Sequence, residues 1–260
     1  MHLPFYKYQG TGNDFIMIDN RKSVLNGCPA SFVQKLCDRH WGIGADGLIV
    51  IQEHREYDFE MIYHNADGTQ SLCGNGSRCA VHLAKQLGII DEEAYFLATD
   101  GPHRACFQDG LIHLQLHDVS EIQMLEDGYL LDTGSPHYVK RVDDLKNLNV
   151  YKEGRQIRNS PPFQKTGINV NFVSLEEDNS ITVRTYERGV EDETLSCGTG
   201  VVAAALTAAT QGYTSPISAR TQGGLLQVGF TKRNNRHFQQ IHLIGPAKMV
   251  FQGTIEVNLE

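Results

Sequence analysis

The chain has 260 residues, 40% hydrophobic and 21% charged, which is enough for one large domain or two of about 125 residues each. Its 23 basic and 31 acidic side chains give a net charge of −8 without a basic cluster, which argues against a nucleic-acid or anionic-membrane partner. No apolar run approaches the roughly 18 residues of a membrane span and the N-terminus lacks a signal peptide's apolar core, so a cytoplasmic protein is expected.

The predicted elements are mostly strands with a few helices. In chain order they are a helix from Ser31 to Asp38, a strand at 59–63, a helix from Ser77 to Leu87, strands at 112–116 and 181–186, a helix from Val201 to Gln211, and a strand-like tail from Met249 to Val257. Gly88 and Gly212 follow the second and third helices, where each can form a C-cap. Short turns after most strands favour antiparallel sheet.

Two Cys-Gly-x-Gly elements, Cys73 to Gly76 and Cys197 to Gly200, lie 124 positions apart, and each opens a small, apolar helix. Other short segments match in the same order at nearly the same offset. Thr11-Gly-Asn13 matches Thr133-Gly-Ser135, and Gly42-Ile-Gly44 matches Gly167-Ile-Asn169. The sequence therefore indicates an internal duplication into two homologous lobes.

The predicted fold is α+β. Residues 1–117, with a C-terminal strand at about 249–260, form an N-terminal lobe carrying Cys73, and residues 118–248 form a C-terminal lobe carrying Cys197. Val201 to Leu206 is apolar on every face, and such a helix must be enclosed. Each lobe is therefore expected to be a curved, mainly antiparallel, barrel-like sheet wrapped around one central helix, with the active site in the cleft between the lobes.

The position of the two cysteines predicts their chemistry. A helix N-terminus has unpaired N–H groups and a partial positive charge, which bind anions and favour a thiolate. One thiolate can remove an α-proton while a thiol on the other side delivers a proton, which inverts a stereocentre without a cofactor. A phosphate cradle fits less well, because neither element continues as a P-loop or a dinucleotide fingerprint. A papain-like nucleophile gives the second cysteine no role.

The six cysteines are expected to be reduced thiols, because the chain lacks a signal segment. Cys73 and Cys79 have the spacing C-x5-C, and no C-x2-C pair or nearby His/Cys pair completes four ligands. No metal and no cofactor are therefore expected.

Together these motifs closely resemble those of the diaminopimelate epimerase family. The matching blocks are Gly10-Thr-Gly-Asn-Asp-Phe15, Cys37-Asp-Arg-His-Trp-Gly-Ile-Gly-Ala-Asp-Gly47, Asn65-Ala-Asp-Gly68, Cys73-Gly-Asn-Gly-Ser-Arg-Cys79, Ser135-Pro-His137, Gly167-Ile-Asn-Val170, Glu187-Arg-Gly189 and Cys197-Gly-Thr-Gly200. The resemblance implies an isomerase that interconverts LL- and meso-diaminopimelate, a step supplying lysine and peptidoglycan synthesis, without pyridoxal phosphate. It also implies a small-molecule substrate and a possible homodimer.

The resemblance also implies roles for individual residues. Cys73 and Cys197 take the places of the two acid/base cysteines, with His137 beside Cys73 and Glu187 beside Cys197 to assist proton transfer. The backbone donors for the carboxylate at the reacting centre correspond to Gly74, Asn75, Gly198 and Thr199. The residues that hold the substrate, chiefly its distal end, correspond to Asn13, Asn65, Asn169, Glu187 and Arg188.

Several of these residues also have simpler interpretations. The three asparagines are equally consistent with turn residues that satisfy local backbone, and His137 with a capped surface histidine. Arg188 could pair with the acidic run at 191–193. At the level of function, a proline or hydroxyproline racemase-like enzyme and a non-catalytic amino-acid-binding protein remain alternatives.

The chain departs from the commonest family pattern at three places. Ser135 stands where the family often has Asn, which puts one substrate contact in doubt. The loop between Asn65 and Cys73 is about one residue short, and that between Glu187 and Cys197 about one residue long, where changes are tolerated.

Overall fold

The computed structural model describes residues 1–257 and shows a mixed α+β fold, mostly sheet with few helices, which confirms the predicted class. The helices are Ala30–Cys37 (α1), Gly74–Gln86 (α2), Val150–Arg158 (α3) and Gly198–Thr210 (α4). The strands are His2–Gly10 (β1), Asn13–Asp19 (β2), Gly47–Gln52 (β3), Phe59–Asn65 (β4), Glu93–Ala98 (β5), Gly101–Gln108 (β6), Leu111–Gln115 (β7), Gln123–Met124 (β8), Tyr129–Asp132 (β9), Pro136–Arg141 (β10), Asn169–Leu175 (β11), Ser180–Glu187 (β12), Asp192–Thr194 (β13), Ile217–Thr221 (β14), Gly224–Lys232 (β15), Phe238–Gly245 (β16) and Lys248–Glu256 (β17).

The chain divides into two compact units. Unit 1 comprises Met1–Leu114 and the stretch from Pro246 onward. Its strands are hydrogen-bonded in the order β17, β1, β2, β3, β4, β5, β6, β7. The pairs β2/β3 and β4/β5 are parallel, and the other pairs of this series are antiparallel. Helix α2 packs against β1, β2, β3, β4 and β17, so the sheet surrounds it.

Unit 2 comprises Gln115–Gly245 and repeats this pattern. Its main strand order is β9, β10, β11, β12, β14, β15, β16, with β8 added to β9 and β13 added to β12. The pairs β10/β11 and β12/β14 are parallel, at the positions that correspond to β2/β3 and β4/β5. Helix α4 packs against the strands of this sheet from β9 to β12 and from β14 to β16. Both units therefore enclose one helix in the same order of strands.

The two enclosed helices begin earlier than the sequence pattern predicts. Helix α2 starts at Gly74 and α4 at Gly198, each three residues before the predicted start and directly after its cysteine. Glycine has a low helix propensity, so the first turn of each helix is hidden in the sequence and forms because packing holds it. Helix α3 was not predicted; Asn149 caps it by accepting a hydrogen bond from the Lys152 N–H at 3.0 Å.

Burial differs between the two helices. Every residue of α4 from Val201 to Ala209 is buried. In α2, by contrast, His82, Lys85 and Gln86 are partly or fully exposed near the C-terminal end of the helix. Among residues 1–257, none of the helices combines the length and the apolarity needed to cross a bilayer.

Helix α3 sets the position of the end of β12. Gly154 is buried on α3, and a Cβ there would overlap Cβ of Tyr186. Tyr186 directly precedes Glu187, the last residue of β12. The close approach of the helix therefore needs glycine at position 154.

We expect Gly154→Ala to lower the free energy of unfolding by about 1–3 kcal/mol, because overpacking outweighs the gain of about 1 kcal/mol in helix propensity. The measurement is the urea midpoint, with Lys152→Ala on the exposed face of α3 as the control. A midpoint for Gly154→Ala at or above that of the unaltered protein would contradict this packing.

Candidate functional site

Cys73 occupies the N-cap of α2. Its Sγ accepts a hydrogen bond from the Gly76 N–H at 3.4 Å, and its thiol lies 3.4 Å from Oδ1 of Asn13, which it can reach as a donor. The side chain is only partly buried. A thiol at this position lies in the field of the helix N-terminus and stays accessible, as an acid/base group requires.

The amides around Cys73 are joined to one another. Asn75 Nδ2 donates to Asn13 Oδ1 at 3.4 Å, and Asn13 Nδ2 donates to the Asp46 carboxylate at 2.7 Å. Asn75 Oδ1 accepts from Arg78 at 3.0 Å, and Arg78 also donates to Thr11 Oγ1 at 3.1 Å. The loop before β2 and the first turn of α2 are therefore held in one hydrogen-bonded group.

Two charged side chains, Arg78 and Asp14, lie next to this hydrogen-bonded group. Arg78 is fully buried, and burial lowers its pKa to about 10. Burial opposes ionisation of Asp14, but hydrogen bonds from Arg39 and Lys7 outweigh it and hold the pKa of Asp14 at about 2. Asp14 therefore stays ionised and pairs with both bases at neutral pH.

Asn65 lies at the end of β4, where it closes its own turn. Its Nδ2 is within 3.0 Å of Thr69 Oγ1 and 3.2 Å of Ser71 Oγ, and its N–H donates to Thr69 O at 2.8 Å. This is the local role that the sequence left open for asparagine. Gly47 of β3 pairs with Asn65 on one side and with Phe15 of β2 on the other, so Asn65 and Asn13 lie toward the same edge of the sheet.

Cys197 occupies the N-cap of α4, the position equivalent to that of Cys73. Its Sγ lies 3.6 Å from Thr199 Oγ1. The carbonyl of Thr199 accepts from Thr133 Oγ1 at 2.9 Å, which ties the turn to the loop before β10. The Gly198 and Thr199 N–H groups belong to the first turn of α4, where a helix has unpaired donors.

A buried amide lies against this turn. A Cβ at Gly200 would overlap Oδ1 of Asn171 and would lie 3.3 Å from Cys197 Sγ. At the equivalent position of α2, a Cβ at Gly76 would come closest to the terminal methyl of Ile49, at 2.9 Å, with its next neighbours at 3.5 Å. The second glycine of the element is thus required in α4 by a polar side chain, and less strictly in α2.

His137 is fully buried at the start of β10, not on the surface. Its Nδ1 is 2.9 Å from Asn171 Nδ2. Burial, and secondarily the positive charge of Arg188, lower the pKa of His137 to about 3. The ring is therefore neutral at physiological pH.

Glu187 and Arg188 follow each other at the end of β12. Glu187 pairs with Asp192 across the β12/β13 hairpin and accepts from Thr194 Oγ1 at 2.8 Å. The segment that follows Glu187 thus includes the short strand β13, which pairs with β12. Thr194 of β13 donates its hydroxyl hydrogen to the Glu187 carboxylate. Thr194 is a site neighbour that the sequence patterns did not indicate.

Arg188 belongs to a polar group with Asn169 and Ser135. Asn169 Nδ2 donates to Ser135 Oγ at 2.8 Å, and Asn169 Oδ1 accepts from the Arg188 N–H at 2.9 Å. The Arg188 guanidinium donates to Thr166 O at 3.3 Å and to Ser135 Oγ at 3.5 Å. Ser135 thus interacts with both neighbours although the family often has Asn there.

The acidic run after Arg188 is held by other arginines. Glu191 lies 3.3 Å from Arg158 Nε, and Glu193 makes a two-pronged ion pair with Arg184 at 2.7 Å. Among the hydrogen bonds described above, those of the Arg188 guanidinium go to Thr166 and Ser135 instead. The acidic run therefore pairs with Arg158 and Arg184, and the site role of Arg188 stays a prediction.

A groove of about 660 Å³ lies in unit 2 beside this group. Its lining includes Gly134, Pro136, His137, Thr166 and Gly167. A volume of this size accommodates a small molecule. The lining thus includes His137 itself and the two residues, Gly167 and Ile168, that directly precede Asn169.

Besides Thr194, two residues near the candidate site were missed by the sequence reasoning. Asn171 follows Asn169 by two positions in a strand, so the alternation of side chains could have placed both on one face. Arg78 lies inside the Cys73–Cys79 block, and its complete burial had no signal in the sequence, where arginine is normally exposed.

Solved structures show which class of fold this is. The crystal structure of a PhzF-family phenazine biosynthesis protein from Enterococcus faecalis has a TM-score of 0.73 at 14% identity and covers 99% of this chain and 100% of its own. A hydroxyproline epimerase from Agrobacterium vitis has a TM-score of 0.69 at 14% identity, with coverage of 98% and 92%. The chain therefore has the fold shared by the PhzF and proline racemase-type proteins.

The sequence narrows the class further. The family model for diaminopimelate epimerase matches residues 5–124 and 129–250, one match for each half. The diaminopimelate epimerase of Flavobacterium psychrophilum is 48% identical over 257 residues, 97% of this chain and 100% of the relative. That of Chlorobaculum tepidum is 40% identical over 95% of this chain and 98% of the relative. The chain belongs to the diaminopimelate epimerase family, which confirms the resemblance seen in its motifs.

The two glycines that follow the cysteines should respond differently to substitution. Gly200→Ala forces the new methyl against a buried amide oxygen and should lower the free energy of unfolding by about 1–3 kcal/mol. Gly76→Ala meets a flexible methyl and should cost less. Urea unfolding of both variants measures the difference, and an equal loss in the two would contradict the asymmetry.

His137 predicts a loss of stability in acid. Its pKa is about 3 in the folded protein and about 6.5 in an unfolded chain, so only the unfolded chain binds the proton between these values. The contribution of His137 is complete above about pH 6.5 and falls as the pH drops toward 3, by up to about 1.4 kcal/mol per pH unit. Asp14 acts only at lower pH, because its contribution is lost as the pH falls below about 4.

The measurement is the free energy of unfolding from urea titrations between about pH 7.5 and 5. His137→Gln should show a shallower decline than the unaltered protein. His82→Gln is the matched control, because burial also lowers the pKa of His82 but the ring is partly exposed. The same decline in His137→Gln and the unaltered protein would contradict the buried neutral ring.

Proposed function

We propose that this protein interconverts LL- and meso-2,6-diaminopimelate without a cofactor, using Cys73 and Cys197 as the two acid/base groups. One observation carries the proposal. Two cysteines occupy the N-caps of the two enclosed helices, in a chain that is 48% identical to the diaminopimelate epimerase of Flavobacterium psychrophilum. The duplication places both thiols at the same helix position, the N-cap, which one nucleophile would not require.

In the proposed reaction, one cysteine as thiolate takes the α-proton and becomes a thiol. The other cysteine, as thiol, gives its proton to the opposite face of the same carbon and becomes a thiolate. The α-carbon is inverted, the number of protons is unchanged, and the two sulfurs have exchanged states. The reverse direction starts from that exchanged state, so one pair serves both isomers.

The weak acidity of the α-hydrogen requires stabilisation of the negative charge that develops. The N–H groups of Gly74 and Asn75, and of Gly198 and Thr199, are donors at helix N-termini that suit the α-carboxylate. Such fixed donors need no reorganisation during the proton transfer. His137 and Glu187 are the proposed assistants of Cys73 and Cys197, respectively.

The proposed distal-end contacts select the substrate. Asn169 and Arg188 are already oriented by Ser135, and with Asn13 and Asn65 they offer amide and guanidinium groups to a second amino-acid end. Substrates that lack this end leave these groups unpaired, which lowers their reactivity. Proline lacks it, so the racemase-like alternative, which the fold alone supports, is not preferred.

The proposed product serves lysine and peptidoglycan precursor synthesis. We place the enzyme in the cytoplasm, where the six free cysteines would stay reduced. The homodimer implied by the family resemblance stays a prediction.

The test is turnover of pure LL-diaminopimelate in deuterium oxide, read as deuterium at the inverted carbon and as the ratio of stereoisomers. Cys73→Ala and Cys197→Ala should each lower turnover by at least about a hundredfold, because either loss removes one proton-transfer group. Cys106→Ala is the control, since this partly exposed cysteine lies on β6 outside the site.

Full turnover in either active-site variant would refute the two-thiol mechanism. Racemisation of proline with no action on diaminopimelate would refute the proposed substrate. Binding of diaminopimelate with no exchange of the α-proton would identify a binding protein instead.

A further inference from the structure

Asn171 is a fully buried amide to which the proposed reaction assigns no role. It lies within β11, two residues after Asn169, and its side chain contacts His137, Tyr138 and Thr185. Its Oδ1 also occupies the space that a Cβ at Gly200, in the first turn of α4, would fill. One side chain thus lies against both His137 and the turn that carries Cys197.

The orientation of the Asn171 amide follows from two of its partners, the backbone carbonyl of Tyr138 and the hydroxyl of Thr185. The atom 3.2 Å from the Tyr138 carbonyl oxygen must be the nitrogen, because a carbonyl oxygen only accepts. The other atom, Oδ1, accepts from Thr185 Oγ1 at 3.0 Å. The amide group of Asn171 therefore presents N–H, not oxygen, to His137.

This orientation determines where His137 carries its proton. The Asn171 Nδ2 lies 2.9 Å from His137 Nδ1, so Nδ1 must accept and has no proton. A doubly protonated ring would place two donors against each other at this contact. In a neutral ring the single proton is therefore on Nε2.

The Nε2–H group is buried, and no hydrogen-bond partner for it is found among residues 1–257. A buried donor without a partner destabilises the folded state, so folded proteins rarely keep one without a function. His137 also contributes to the wall of the 660 Å³ groove in unit 2. A free donor at this place suits an anionic group that arrives or forms during the reaction.

We propose that Asn171 is a positioning residue that holds His137 in the Nε2–H tautomer, so that His137 donates a hydrogen bond to a thiolate. This proposal rests on the proposed function, in which His137 assists Cys73, for the identity of the thiolate. His137 then stabilises the anionic sulfur and does not remove its proton. The α-proton goes to sulfur in one step, and the ring stays neutral throughout.

The direct test is ¹⁵N NMR of the protein labelled in histidine. The chain has 11 histidines, and the signals of His137 are assigned by their loss in His137→Gln. We expect a neutral ring with a protonated Nε2 and a bare Nδ1 at pH 7. A proton on Nδ1, or a doubly protonated ring, in the unaltered protein would overturn the proposal without any need for a variant.

Asn171→Asp changes the partner of Nδ1 at constant size. A carboxylate can only accept, so the proton should move to Nδ1 or the ring should become charged, and the ¹⁵N signals should shift accordingly. Thr185→Val is the matched control, because it removes the hydrogen bond to Asn171 Oδ1 and leaves the contacts of Asn171 Nδ2 with Tyr138 O and His137 Nδ1. An unchanged tautomer in Asn171→Asp would also overturn the proposal.

Kinetics separate this role from a purely structural one. Asn171→Asp should lower kcat by about tenfold or more and change KM less, because a stabilising donor is lost during proton transfer. Thr185→Val should keep both the tautomer and most of kcat. If the tautomer is as expected but diaminopimelate is not turned over, the proposed function fails and the role of Asn171 in orienting His137 stands.

Discussion

Helix α4 has no charged residue and is buried from Val201 to Ala209, so it is stable only when a sheet surrounds it. The strands from β9 to β16 provide that cover, and β1 to β4 with β17 do the same for α2. Enclosure covers the sides of a helix but leaves its first turn without intrahelical partners for its N–H groups. Each cysteine lies at the N-cap of an enclosed helix, directly before this turn. The burial of the two helices therefore also determines where the proposed chemistry takes place.

The two units use this shared plan in different ways. Around Cys73, the neighbours are amides and a buried guanidinium, with Arg78 holding Asn75 and Thr11 in place. Around Cys197, a buried amide, Asn171, packs against the first turn of α4 at Gly200. The topology of the duplication is preserved, including the parallel pairs at equivalent positions, while the polar groups have diverged. Related halves of one enzyme can therefore present chemically unequal acid/base groups.

Much of the fold was accessible from the sequence, for physical reasons. Helices α2 and α4 were predicted because their apolar residues and their following glycines are local signals. Their predicted starts were three residues late because glycine has a low helix propensity, and α3 was missed because a short helix with a largely polar surface has weak local signals. The parallel pairs β2/β3 and β10/β11 were not visible either, since strand direction depends on where the intervening chain travels.

The sequence by itself determined the class, the family, the duplication and which residues are proposed to carry function, because these depend on residue types in a fixed order. Only the tertiary structure decided that Arg78 and His137 are buried, that Arg188 contacts Ser135 while the acidic run binds other arginines, and that the Asn171 amide contacts His137. Such facts depend on which groups distant segments bring together. Burial and hydrogen-bond direction set protonation states, and a linear pattern of residues contains neither.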